Sequence, residues 1–430
     1  MINRNISPKT KKIDNIRFQT PKIGKLDNNI NYYGFNSNSA PVIKLDLIFK
    51  AGVEFQQKAL QSVLANSLLK EAPKGKTTYE TSEFFDYYGS YVEAFSGAEI
   101  AGLRLFVPVE YFEKVMPVFA DLVKSPSLPI PEYEIMTKKY SESIKNNFKK
   151  TKYVAMRGLN LQIFGKDHQL GYLVKPEDAE SLAYEEVVKF VKQNYVAENC
   201  KFLISGSFDD SIISNLNTYF GSNIDGEDWH KAFKSNSTQK ADGLMEKIRT
   251  YEFPDAVQSS IYGGIRLDLN SYEDMINMDI VNTVFGGYFG SHLMKNIRED
   301  KGYTYGIGSY IAEYSNSCVL RIVTDVGVDV TKKTVSEIYK EIDKMRIKKV
   351  SLSGLKLVKN YMLGELLSSL DGVIPTSMVY EKLLAKGRSE DYIKRNVELI
   401  NSITPDIIKD YAEKYLIPEN FSFVVAGKYN

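Results

Sequence analysis

Strand-like and helix-like periods follow one another in long blocks along this chain. From Pro41 onward, Ile43, Leu45, Leu47 and Phe49 alternate with Lys44, Asp46, Ile48 and Lys50, the period-two pattern of a half-buried strand. A helix is expected from about residue 56, with Leu60, Val63, Leu64 and Leu68 on one face, and another over 81–88. Gly89-Ser90-Tyr91-Val92 then leads into a strand pair running through 100–107. A helix is expected over 109–124; a Ser-Pro-Ser-Leu-Pro break follows, and then one helical stretch over about 131–164. This part of the chain closes with a helix over 185–195 and a strand over 201–206.

That closing unit recurs. Asn199-Cys-Lys-Phe-Leu-Ile-Ser-Gly206 matches Asn420-Phe-Ser-Phe-Val-Val-Ala-Gly427 at an offset of 221, and Gly89-Ser90-Tyr91 matches Gly308-Ser309-Tyr310 at an offset of 219. Two matches at nearly one spacing imply a duplicated unit of about 220 residues, too long a period for a solenoid. The polar stretch 225–242, rich in Ser, Asn and Lys, reads as the connector between the copies, and Trp229, the one tryptophan, could dock it. Strands interspersed with long helices, without βαβ alternation or a Gly-rich phosphate loop, predict an α+β fold of two tandem homologous domains. Each domain is expected to be a mainly antiparallel sheet packed with helices. The expected division is an N-terminal arm over 1–20, a first domain over 21–222, a linker over 223–248 and a second domain over 249–430.

Composition narrows the function classes. The 430 residues carry 55 Lys and Arg against 54 Asp and Glu, a balance that gives no sign of a nucleic-acid partner. Clusters such as Lys149, Lys150 and Lys152 read as solvated helix faces. No apolar run reaches the length needed to cross a bilayer, and the polar, basic N-terminus lacks the apolar block of a secretory signal, so a cytoplasmic location is expected. Cys200 and Cys318 stand far apart in strand-like contexts and read as two thiols rather than a disulfide framework.

The most informative stretch is 286–310, GGYFGSHLMKNIREDKGYTYGIGSY. Ser291 can cap a helix and Gly302 can end it in the left-handed conformation. Leu293, Met294 and Ile297 share one face, and Arg298 falls near the C-terminal turn, where a cation suits the macrodipole. After Gly302 a strand is expected, with Tyr303 and Tyr305 on one face, so that Arg298 and Tyr305 can turn back towards one another.

This segment closely resembles one in the C-terminal half of pitrilysin/insulinase-family zinc peptidases, with Arg298 and Tyr305 at the positions of the paired arginine and tyrosine that contact substrate. The resemblance covers essentially the whole chain beyond the arm and implies a clam-shaped pair of domains. Family members that perform the chemistry carry His-x-x-Glu-His on a helix of the N-terminal half, with a further glutamate some 75 residues on. Histidines at i and i+4 share a helix face and bind one metal, while the glutamate activates its water. Anchored on Lys74-Gly-Lys-Thr77, the motif falls on Val63-Leu-Ala-Asn-Ser67: Val63 and Ser67 stand at the histidine positions and Asn66 at the catalytic glutamate. Counting back from Gly165-Lys-Asp-His168 puts Ser143 at the last ligand position, beside Glu142. Valine has no lone pair, serine is a poor zinc ligand, and asparagine cannot act as a carboxylate base. His168, His230 and His292 form no His-x-x-x-His pair, so no metal is expected in this chain.

The resemblance is therefore to the sister subunit of the family's bacterial two-subunit branch. It implies a heterodimer in which a zinc-motif-bearing partner supplies the metal, while this chain supplies Arg298 and Tyr305, with Tyr303 beside them, to an unstructured peptide substrate. The alternative is a catalytically inert scaffold or peptide-binding subunit of a larger complex. A self-sufficient metallopeptidase with unusual ligands is a third reading, and it requires stoichiometric zinc in the isolated chain.

Overall fold

The computed structural model describes residues 13, 16–37, 41–221, 243 and 246–430. Most of the expected N-terminal arm, and the connector with Trp229 and His230, lie outside them.

The first half contains strands β1 (Lys22–Lys25), β2 (Asn31–Asn36) and β3 (Val42–Phe49), then helices α1 (Gln61–Leu69) and α2 (Thr78–Tyr87). Strands β4 (Tyr91–Ser96) and β5 (Ala101–Pro108) lead to α3 (Phe112–Lys124), α4 (Ile130–Asn147) and α5 (Thr151–Phe164). It closes with α6 (Pro176–Ser181), α7 (Tyr184–Asn194), β6 (Cys200–Gly206) and α8 (Asp210–Leu216). The second half opens with β7 (Ile248–Glu252), β8 (Gln258–Leu267) and α9 (Tyr272–Asn282), followed by β9 (Ile307–Tyr314) and β10 (Ser317–Gly327). Helices α10 (Thr331–Ile347), α11 (Leu352–Ser369), α12 (Val373–Ala385), α13 (Asp391–Ser402) and α14 (Pro405–Tyr415) precede the last strand, β11 (Ser422–Gly427).

The strands form two mainly antiparallel sheets, ordered β1-β2-β6-β3-β5-β4 and β7-β11-β8-β10-β9. Leaving out β1, the two orders superpose: β6 and β11, the strands matched in sequence, each run parallel to one neighbour and antiparallel to the other. Both end on a glycine of positive φ, +124° at Gly206 and +139° at Gly427. The other matched pair agrees as well, since Tyr91 opens edge strand β4 opposite Phe106 and Tyr310 lies on edge strand β9 opposite Arg321. The α+β duplication is therefore present in topology as well as in sequence.

One face of each sheet carries that half's own helices. Ile43, Leu45, Leu47 and Phe49 of β3 meet Leu64 and Leu68 of α1 and Phe112 and Phe119 of α3. Ile261 and Ile265 of β8 and Leu320 and Ile322 of β10 meet α9, α10 and α14. The opposite faces are covered by exchange. Helix α5 of the first half lays Ala155, Leu159 and Ile163 on Tyr262, Val319 and Val424 of the second sheet. Helix α12 of the second half lays Tyr380, Leu383 and Leu384 on Phe35, Ile48 and Leu203 of the first.

This exchange overturns the expected solvent face of β3. Lys44 and Asp46 are fully buried under α12, paired with each other, and Arg104 of β5 bonds Asp46 Oδ1 at 2.5 Å and Glu381 Oε2 of α12 at 2.7 Å. Burial, the largest influence, pulls the Lys44 pKa down in spite of the Asp46 carboxylate. The helix expected over 131–164 is also two, broken at 148–150 where the chain turns away from the first sheet towards the second. Helix α1 begins at Gln61 rather than near residue 56, because Gln56 folds back and its Oε1 accepts the Ser62 N–H at 3.2 Å. Cys200 is buried and Cys318 half-buried, and both are free thiols.

Candidate functional site

The Arg298 segment is built on two anchors. Ser291 is fully buried; its Oγ accepts from the Met294 N–H at 3.4 Å and its carbonyl from the Lys295 N–H at 3.0 Å, so the serine starts the helix as expected. Leu293 and Ile297 are wholly inside the second core. The turns over Met294–Asp300 are wider than α-helical, with i to i+5 hydrogen bonds such as Lys301 N–H to Asn296 O at 3.0 Å. Asn296 faces α10, where its amide donates to Glu337 at 3.0 Å and Glu341 at 2.9 Å. His292 Nδ1 stands 3.3 Å from the same Glu341. Burial raises the Glu341 pKa but is outweighed by His292 and Lys344, which hold the carboxyl below its usual range.

Gly302 ends the helix at φ +65°, the left-handed conformation only glycine adopts without strain, and the Tyr303 N–H closes the turn onto Ile297 O at 3.0 Å. The strand expected at Tyr303 begins only at Ile307. Thr304 prevents an earlier start: its hydroxyl accepts the Gly306 N–H at 3.1 Å and lies 2.7 Å from the Asp325 carbonyl, replacing ladder pairing with a side-chain turn. Tyr303 packs half-buried against the second core. Tyr305 is thrown outward at 94% exposure. Arg298 is half-buried, with its Cζ 4.5 Å from the centre of the Phe289 ring. Among the described residues no hydrogen bond joins Arg298 to Tyr305.

The residues at the zinc-motif positions do not fit a metal. Asn66, 2% exposed, donates to the Phe95 carbonyl at 2.8 Å and accepts the Tyr195 hydroxyl at 2.9 Å, so both ends of its amide tie α1 into the fold. Val63 and Ser67 flank it half-buried, while Ser143 is exposed on α4 with Asn147 as its partner at 3.5 Å. Among the described residues no three His, Cys, Asp or Glu side chains group to hold an ion. His168 sits buried in its loop, stacked on Phe164, and accepts the Leu170 N–H at 3.1 Å.

Two features carry no clear sequence signal. Phe289 is an exposed ring among glycines, visible in sequence only as an aromatic where a turn residue would be usual. A cavity of about 1430 Å³ opens beside the far ends of β8 and β9, lined by Tyr272, Met275, Glu313, Cys318 and Arg388 and by none of the expected site residues.

The fold and this segment together define a two-domain peptidase-like α+β chain. Residues 181–362 match the family model described as the Peptidase M16 inactive domain. The chain is 24% identical to an uncharacterized zinc protease, YmxG, of Bacillus subtilis over 355 residues, 80% of this chain and 84% of that one. Among solved structures it resembles a peptidase M16 inactive domain from Pseudomonas fluorescens at TM-score 0.85 and 17% identity, covering 95% of this chain and 98% of that one. It also resembles a chain of Complex III2 from Candida albicans at TM-score 0.74 and 16% identity, covering 94% and 95%. The chain is thus homologous to pitrilysin/insulinase-type zinc proteases, and its residues 181–362 match the inactive M16 domain.

Proposed function

We propose that this chain is the non-zinc-binding subunit of a heterodimeric pitrilysin/insulinase-family metallopeptidase. In this reading residues 21–222 and 249–430 are its two domains, joined by a linker over 223–248. A partner chain bearing His-x-x-Glu-His supplies the zinc and with it the activation of water. This chain supplies the grip on substrate: Arg298 holds a carbonyl of an extended peptide, and Tyr305 donates its phenolic proton as a hydrogen bond to the oxyanion developing on the scissile carbonyl. Tyr303 seats the turn that carries Tyr305.

One observation carries the reading. The Asn66 position is committed to the protein's own packing, while the Arg298–Tyr305 segment is held by Ser291, Ile297 and Gly302 and presents a phenol with no partner among the described residues. General decay would not spare one site and rebuild the other. The likeness to a Complex III2 chain favours the second reading, an inert scaffold subunit of a larger complex.

Purification from the native cell, followed by peptidase assay of the chain alone, its companion alone and both together, tests the two. Activity that needs both chains and a companion with the zinc motif is expected. A companion active at full rate without this chain, or assemblies containing no such companion, would overturn the heterodimer.

A further inference from the structure

Phe289 is 62% exposed in the loop between Gly287 and Gly290, a costly place for a large apolar ring outside the hydrophobic cores of the described residues. The Arg298 guanidinium lies over it, 4.5 Å from the ring centre. No salt bridge or side-chain hydrogen bond joins that guanidinium to another described residue, although Glu299 and Asp300 follow it directly. The nearby carboxylates of α10 are engaged elsewhere, Glu337 with Asn296 and Lys340 and Glu341 with Asn296 and Lys344. A guanidinium drawn to a ring face is held by the ring quadrupole and spends none of its five N–H donors on a carboxylate.

We propose that Phe289 is a positioning residue whose ring seats the Arg298 guanidinium and keeps its donors free for a peptide carbonyl or carboxylate. The inference rests on the role proposed for Arg298. An acidic partner in place of the ring would fix the same side chain but neutralise it and occupy the fork. The ring therefore orders the arginine while leaving it available, which is what a substrate clamp requires.

The test uses the full chain with isotope-labelled arginine, the Arg298 side-chain resonance being identified by its loss in Arg298→Lys. The Phe289 ring current should displace that resonance; Phe289→Leu should abolish the displacement and Phe289→Trp should keep it. In the reconstituted assembly with a quenched-fluorescent peptide, Phe289→Leu should lower kcat/KM about two- to fivefold, the worth of an exposed cation–π contact, and Phe289→Trp should restore it. An Arg298 resonance unmoved by Phe289→Leu overturns the proposal whatever the activity. A crippled Arg298→Ala assembly beside a Phe289→Leu assembly of normal kcat/KM also overturns it. Normal turnover in Arg298→Ala instead overturns the role of Arg298 and, with it, positioning for substrate.

Discussion

Arg104 of the first sheet bonds Glu381 of α12 across the boundary between the two halves, at 2.7 Å and with both side chains nearly out of solvent. Around them Lys44, Asp46, Arg104 and Glu381 balance two positive charges against two negative ones. Replacing Arg104 by Met leaves Asp46 and Glu381 underpaired beneath α12, and breaking a buried pair in this way typically costs about 3–5 kcal/mol. Urea denaturation should show a loss of that order for Arg104→Met. Arg104→Met with Glu381→Met should be milder than the single change, because the second substitution removes one of the stranded charges.

Asn66 stands where a metallopeptidase homologue would carry its general base, yet its amide is a structural tie. Changing Asn66 to Leu strands the Tyr195 hydroxyl and the Phe95 carbonyl in the core, each worth about 1–3 kcal/mol when unsatisfied. A thermal midpoint lowered by several degrees is expected. An unchanged midpoint would mean that Asn66 is free to serve another purpose. Burial pushes the Tyr195 hydroxyl pKa well up, so it remains a neutral donor at any ordinary pH and the tie does not depend on pH.

The Tyr305 phenol projects from its turn at 94% exposure and bonds none of the described residues, so Tyr305→Phe should leave folding and assembly untouched. In the reconstituted heterodimer its kcat should fall on the order of 10²- to 10³-fold, as when a single oxyanion donor is removed, with KM little changed. Wild-type kcat in that complex removes Tyr305 from the chemistry.

Locally encoded features of the fold were legible in sequence. The Gly206 and Gly427 strand ends, the Ser291 start and the Gly302 stop are each set within a few residues, and the structure has them where they were expected. Exchange between the halves was not legible. Lys44 and Asp46 look like a solvent face because the helix that buries them lies more than 300 residues later, and the break at 148–150 has neither Gly nor Pro to announce it. Near the candidate site, Thr304 explains the missing strand at Tyr303, since a β-branched residue suited to a strand spends its hydroxyl on the neighbouring backbone instead. Phe289 was missed because a ring that partners an arginine nine positions later leaves no periodic trace.

Asp279 offers a pH test of the second half that is independent of any partner. It is an exposed residue of α9, near Tyr361 of α11 and Tyr392 of α13, and desolvation by the protein around it raises its pKa to about 6. The unfolded chain would titrate near the ordinary aspartate value of about 3.9. Between these two values the folded state binds more protons than the unfolded one, so the contribution of Asp279 to stability is most favourable below the lower value and is eroded as pH rises through about 6. Asparagine resembles the protonated form at every pH. Asp279→Asn should therefore raise the thermal midpoint more at pH 7.5 than at pH 4.5, the gain building between about pH 4 and 6 and levelling off above. A gain equal at both pH values, or larger at the acidic one, would show that the carboxyl of Asp279 is ionised in the folded chain as easily as in the unfolded.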